Sequence, residues 1–592
     1  MNLSSVKKLA RQRLRGIMLI FGLLCAYLCF TFLSGYLPTG TNPSSDDAFR
    51  KFTLSLFQEE AASSTLNLHF TLQTPTDYGI LNAPVTFGTY NTDSVTTMAS
   101  IENCRKSLES FPYHSLSDEN KLTYDVLASY LNTAKDGADF LLYEEPLSPL
   151  TGIQAQLPVL LAEYQFYDVE DVDTYLNLLE TTPQYFASLI DLEREKSEKG
   201  LFLSDQIVDT VLEQCQSLLD MGENNYMYST FEQRISDMEE IPAKQKADYI
   251  KKNQQIVQNS FLPAYQSLVS ALTELKGTGA ELSGVCNLHN GKKYYEYVVS
   301  RETGSSRSVP ELKKLIQKQI KNDVAAMGQF LEVSTLSKLS FDENRPDKLL
   351  AQLESKIAKT FPTPANVNTD VKYVPKTMEP YLSPAFYLIP CIDHSSENTI
   401  YINRAHNMGD LNLFTTLAHE GYPGHLYQTT YFAQKEPDPI RSILNFGGYT
   451  EGWATYAEMC SYYLTPLSKK EATLAQKNSS LILGLYALAD IGIHYDGWSL
   501  PDTVQFFSAY GIDDTNTISE IYELIVSDPG NYLKYYIGYV EMLELKKEVM
   551  KKTGDDFSQK KFHKAVLDVG PAPFDVVREY VLKSSTAINH SR

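Results

Sequence analysis

His419, Glu420 and His425 lie in the segment DLNLFTTLAHEGYPGHLYQTTYF, and 26 residues after His425 comes Glu451 in GGYTEGWATYAEMCSYY. Zinc prefers imidazole and carboxylate ligands, and a glutamate beside such a site can take a proton from a water that attacks a peptide carbonyl. These four residues therefore suggest a zinc centre for peptide hydrolysis: His419, His425 and Glu451 as ligands, Glu420 as the base. The usual pattern is HExxH, in which two histidines four apart share one helical face. Here they are six apart. At about 100° per residue, a regular helix would turn His425 well away from His419. Pro423 supplies a break, because it lacks an N–H and its ring clashes with the carbonyl four residues back, that of His419. Gly424 adds freedom, so a kink or bulge is expected to swing His425 back towards the metal. The bland alternative is two satisfied polar histidines beside an ordinary helix break.

The elements that must position these groups are helices. Asp410 is expected to cap a helix carrying Leu413, Phe414 and Leu417 before it reaches His419 and Glu420. A turn through KEPDPIRS would bring a second helix back alongside, with Glu451 and Glu458 seven apart on one face. Glu458 then orients a histidine from behind the metal or is a buried hydrogen-bonded acid. Further along, His494 in ADIGIHYDGWSLP stands near Asp490 and Asp496 in the sequence, as a substrate or transition-state histidine or as a core histidine. His563 reads as structural. Helical apolar spacing recurs at Tyr175, Leu178 and Leu179, at Tyr185, Leu189 and Leu192, and at Leu312, Leu315, Ile316 and Ile320. One strand is expected at residues 398–403, NTIYIN, just ahead of the motif.

The rest of the chain bounds where this body works. Lys7, Lys8, Arg11, Arg13 and Arg15 precede an uncharged stretch of 22 residues, 16–37. Such a stretch spans a bilayer as a helix, with the basic side in the cytoplasm. The expected division is a cytoplasmic tail 1–15, a transmembrane anchor 16–37, a linker 38–47 and one extracytoplasmic body 48–592. Cleavage of the N-terminal segment, giving a secreted protein, is the alternative. The formal charge of −21 opposes broad attraction to nucleic acid. Cys104, Cys215, Cys286, Cys391 and Cys460 in the body show no metal-binding spacing and read as free thiols or one unassigned disulfide. No G-x-S-x-G elbow, P-loop or dinucleotide fingerprint occurs. The KTG triplet at Lys552–Gly554 is incidental, since the S-x-x-K matches before it, at Ser4 and Ser5, fall in the basic tail.

HEGYPGH followed by EGWATYAE resembles the bacterial family catalogued as domain of unknown function 885, as do NLHFTLQTPTDYGI, ADIGIHYDGWS, DPGNYLKYYIG and FHKAVLDVGPAPF. That family is similar in turn to helical zinc peptidases of the carboxypeptidase Taq, thimet oligopeptidase and angiotensin-converting enzyme type. The resemblance implies a mainly α, zincin-like body with a deep channel and at most a small sheet. It also implies that Tyr535, in DPGNYLKYYIG, donates to the oxyanion, although Asn531 stands where the family commonly has glutamine. The resulting expectation is an extracytoplasmic zinc carboxypeptidase or oligopeptidase acting on short peptides. A catalytically inactive peptide- or envelope-binding protein using the same channel is the alternative.

Overall fold

The computed structural model describes residues 44–587, apart from 329–340, 342, 375, 377–378, 380–381 and 407. The expected basic tail, the apolar stretch 16–37 and most of the linker lie outside the described residues. Within them no helix is long and apolar enough to cross a membrane. The first helix, Ser45–Ala61, starts ahead of the expected Ala48, and the physical reason is a cap. Ser44 Oγ accepts the Asp47 N–H at 3.1 Å, and Asp46 accepts the Ser117 N–H at 2.9 Å and the Asn120 amide at 2.6 Å. Residues 44–47, the described end of the run read as linker, are a helix start fastened to the body.

Helix makes up 70% of the structure and strand 3%, so helix packing, not a sheet, builds the interior. The periodic segments form the helices Val169–Glu180, Thr182–Glu198 and Val309–Gly328, with their apolar stripes turned inward. Two apolar cores result. One gathers the first helix with Val309–Gly328 and most of the C-terminal helices; the other gathers the helices between Ile153 and Leu275.

A three-stranded sheet lies between them: β1 (Asn368–Tyr373), β2 (Ala385–Leu388) and β3 (Glu397–Ile402). The order is β1-β3-β2, with β3 parallel to β1 and antiparallel to β2. The expected strand is β3, one residue earlier than read; β1 and β2 were not legible. Alternation along β2 sends Ala385 and Tyr387 into the first core and Phe386 into the second. As an edge strand, β2 also keeps N–H groups that do not face β3.

Four helices carry the motif residues: α1 (Asp410–Glu420), α2 (His425–Ala433), α3 (Gly447–Ser461) and α4 (Asn531–Thr553). Asp410 does not cap α1: Gly409 occupies that position, and Asp410 instead accepts the Phe341 N–H at 2.7 Å. Helices α3 and α4 cross at glycines. A Cβ on Gly538 would fall 2.0 Å from the Gly448 carbonyl oxygen and 2.6 Å from Gly452 Cα, so only bare backbone permits this approach. The crossing lies one turn beyond Tyr535 on α4 and adjoins Glu451 on α3.

Candidate metal centre

The expected kink is a complete break. α1 ends at Glu420 and α2 begins at His425, joined by Gly421–Gly424 with non-helical backbone and a cis Tyr422–Pro423 bond. Gly424 passes so close to α1 that a Cβ there would lie 1.7 Å from the His419 carbonyl oxygen. The Pro423 carbonyl accepts the indole N–H of Trp453 at 2.9 Å, and Trp453 is fully buried on α3 two residues after Glu451. The helix that presents Glu451 thus also fastens the turn that presents His425.

This arrangement brings together the residues read as metal ligands. One ligand atom each from His419, His425 and Glu451 all lie within 4.8 Å of one another, and all three side chains are buried. Glu451 Oε2 is 3.5 Å from His419 Nε2 and 3.4 Å from His425 Nε2. These separations are too long for good hydrogen bonds, and that oxygen has no hydrogen-bond partner. Two imidazole nitrogens and an unpaired carboxylate oxygen converging in a buried place fit the donor set of a catalytic zinc. Glu458, seven residues beyond Glu451 on α3, stands 3.4 Å from Nδ1 of His419. His419 therefore has a carboxylate against each ring nitrogen.

The charges follow from this packing. Burial opposes protonation of His419, but Glu451 and Glu458 outweigh it and raise the imidazole to about 10. Burial likewise opposes ionisation of Glu451, yet the imidazoles of His425 and His419 hold its carboxyl well below the ordinary range. Glu420 behaves differently: burial raises it despite both imidazoles. Its Oε2 accepts the Tyr387 N–H of β2 at 3.0 Å, one of the groups an edge strand leaves over. A carboxyl raised in this way is suited to accept and return a proton.

Tyr535 on α4 joins the group, its ring 6.5 Å from that of His419 and its residue 3% exposed. Burial, then the charges of Glu451 and Glu420, keep its phenol well above the ordinary value, so it remains a hydrogen-bond donor. His494 does not fit the catalytic reading. Its Nδ1 accepts the Val285 N–H at 3.2 Å and its Nε2 faces the Ile525 carbonyl at 2.8 Å, so backbone occupies both nitrogens. The nearby acids do not pair with it: Asp490 binds Tyr295 and Gly530, and Asp496 binds Lys313. Sequence spacing failed here because the chain leaves the long helix Lys469–Ile491 through a π-turn, Gly492–Asp496, which separates these side chains. His563 bridges Tyr456 and the Thr360 carbonyl, a packing role. The five body cysteines are all free. Tyr387 and Trp453 are the positioning residues that sequence reasoning missed; Trp453 lay inside the EGW segment, but nothing in its spacing disclosed a carbonyl to hold.

No curated protein matches the sequence. Solved structures share the fold, among them two described as lipoproteins. A crystal structure described as a "putative lipoprotein" from Colwellia psychrerythraea is 19% identical, with a TM-score of 0.78 over 92% of this chain and 100% of that one. A "putative lipoprotein of unknown function" from Shewanella oneidensis is 16% identical, with a TM-score of 0.60 over 91% of this chain and 100% of that one. The family model described as "Bacterial protein of unknown function (DUF885)" matches residues 93–581. By that match, which spans most of its length, the chain belongs to the DUF885 family of bacterial proteins.

Proposed function

We propose that the chain is a zinc-dependent peptidase that hydrolyses short peptides outside the cytoplasm. The observation that carries this reading is the convergence of His419, His425 and a Glu451 oxygen that makes no hydrogen bond, beside a backbone-held Glu420. A binding protein would have no use for a base in that place. His419, His425 and Glu451 would hold the zinc, which would supply Lewis acidity for the attack of water on a carbonyl. Glu420 takes the proton of the attacking water and returns it to the leaving amine, a role worth roughly 10²–10⁴-fold in rate. Tyr535 donates to the carbonyl oxygen as charge builds on it. The Tyr387 N–H keeps one oxygen of Glu420 turned towards β2, which restricts the rotation of the base. The uncharged stretch 16–37 and the lipoprotein descriptions of the two structural neighbours both support an envelope location.

The test is zinc content and peptide hydrolysis of the purified protein. Wild type should hold one zinc and cleave; Glu420→Gln should keep the metal and lose turnover; Glu451→Ala should lose both. A wild-type protein that binds no zinc at micromolar free metal would overturn the peptidase reading in favour of a peptide- or envelope-binding protein.

A further inference from the structure

We infer that Asn531 binds the backbone of the peptide substrate, gripping one peptide unit beyond the scissile bond through both halves of its carboxamide. The inference rests on the peptidase reading above and adds to it a minimum substrate length.

Asn531 is the first residue of α4 and is 2% exposed, and neither its Oδ1 nor its Nδ2 has a hydrogen-bond partner. A carboxamide offers two donors and an acceptor, and leaving them unmade in a buried place opposes folding. Such a group calls for an explanation. Its position supplies one. Four residues before Tyr535, it lies about 40° around the helix and roughly 6 Å along it, on the same face. That face continues to Gly538, where α4 meets the helix carrying Glu451. Tyr532 and Tyr536 also have unpaired hydroxyls, but they serve other surroundings: Tyr532 stacks on Tyr486, and Tyr536 meets Gly484. At 2% exposed, Asn531 is enclosed slightly more than the centre itself, where His419, Glu420, His425, Glu451 and Tyr535 are 5, 8, 4, 5 and 3% exposed.

The unpaired atoms define the ligand. An anion would satisfy only the amide N–H groups, and a cation only the oxygen. A peptide unit presents a carbonyl and an N–H together and satisfies both. An extended peptide advances about 3.4 Å per residue, so a site roughly 6 Å from Tyr535 meets a peptide unit about two residues from the bond being cut. Dipeptides end before reaching it. The favoured substrates are oligopeptides.

The experiment compares the full-length, zinc-loaded wild type with Asn531→Leu on a dipeptide and a hexapeptide, and records the melting temperature of each protein. Leucine has the same branched heavy-atom skeleton and needs no partner. The expected result is a KM for the hexapeptide raised about ten-fold, the loss of one to two hydrogen bonds. The dipeptide KM and the hexapeptide kcat should be nearly unchanged. The melting temperature should stay level or rise, since an unpaired polar group has been removed. Calorimetric binding of the hexapeptide to Glu420→Gln should weaken by the same factor when Asn531→Leu is added. A fall in melting temperature with an unchanged hexapeptide KM means that Asn531 is structural and overturns the inference. Equal losses on both peptides overturn it as well. Should Asn531→Leu fail to fold, Asn531→Ser carries the same comparison. If wild type cleaves while the variants do not differ, only this inference falls; if wild type neither binds zinc nor cleaves, the peptidase reading falls and takes the inference with it.

Discussion

Replacing Trp453 with phenylalanine separates a brace for the proposed metal centre from ordinary packing. The indole N–H donates to the Pro423 carbonyl at 2.9 Å, and the ring packs edge-on to Phe361 and lies beside Tyr456 and His563. Phenylalanine keeps an aromatic ring but leaves a buried carbonyl unpaired, which costs about 1–3 kcal/mol, and removes part of a packed ring system, about 1–2 kcal/mol more. Stability of the metal-free protein should therefore fall by roughly 2–5 kcal/mol. The specific consequence is for zinc. Pro423 sits two residues before His425, so a carbonyl no longer held lets that ligand drift. Groups that orient metal ligands are typically worth about 10–100-fold in affinity.

With free zinc at 100 times the wild-type Kd, the metal stabilises wild type by about 2.7 kcal/mol. A 30-fold weaker variant would gain only about 0.9 kcal/mol at the same zinc concentration. The assay is urea denaturation with and without zinc, beside a chelator competition that gives Kd directly. Phe361→Leu is the control, because it disturbs the same ring cluster without touching the carbonyl; it should lower stability and leave Kd alone. If Trp453→Phe lowers stability while zinc Kd stays within two-fold of wild type, the brace argument is wrong and Trp453 is core packing only.

Two further outcomes follow from the same geometry. Glu458→Gln removes the carboxylate facing Nδ1 of His419 and should weaken zinc about 10–100-fold without abolishing turnover at saturating metal, as titration of zinc against activity would show. His494 should govern acid stability and not catalysis. Burial lowers its folded value to about 4 from the ordinary 6.5, so the group contributes stability that is present above about pH 6.5 and lost as pH falls through about 4. His494→Gln, which cannot titrate, should flatten that part of the stability profile while leaving kcat per bound zinc unchanged; a large fall in kcat with intact zinc would restore a catalytic role.

The sequence was most readable where local rules decide the structure. Apolar periodicity located the helices around Tyr175, Leu189 and Leu312, and β-branched content located β3. The convergence of His419, His425 and Glu451 was also anticipated, because zinc chemistry restricts the residue types and Pro423 restricts the helix. What was not readable depends on partners far away in the chain. β2 is a four-residue strand whose hydrogen-bonding partner is β3, and its Tyr387 N–H matters only because Glu420 arrives beside it. His494 misled because proximity along the chain to Asp490 and Asp496 was taken for proximity in space, while the residues that occupy its ring, Val285 and Ile525, lie far off in sequence.

The two-residue insert changes what the proposed metal centre depends on. In an HExxH helix the backbone hydrogen-bond ladder alone sets the distance between the histidines, one turn apart. Here that ladder stops between them, and each histidine belongs to a different helix, so their spacing is set by the four residues that join α1 to α2. Two contacts hold those residues: the close pass of Gly424 over the His419 carbonyl, and the bond from Trp453 to Pro423. The second comes from the helix that also supplies Glu451, and that helix is seated against α4, which carries Tyr535, through Gly448, Gly452 and Gly538. Glu451, the Trp453 brace and Tyr535 are therefore mechanically one unit. A side chain at Gly452 or Gly538 would shift α3 against α4, moving Glu451, the Pro423 carbonyl and Tyr535 together; its effect on zinc affinity and turnover should exceed what any single-ligand distance would suggest.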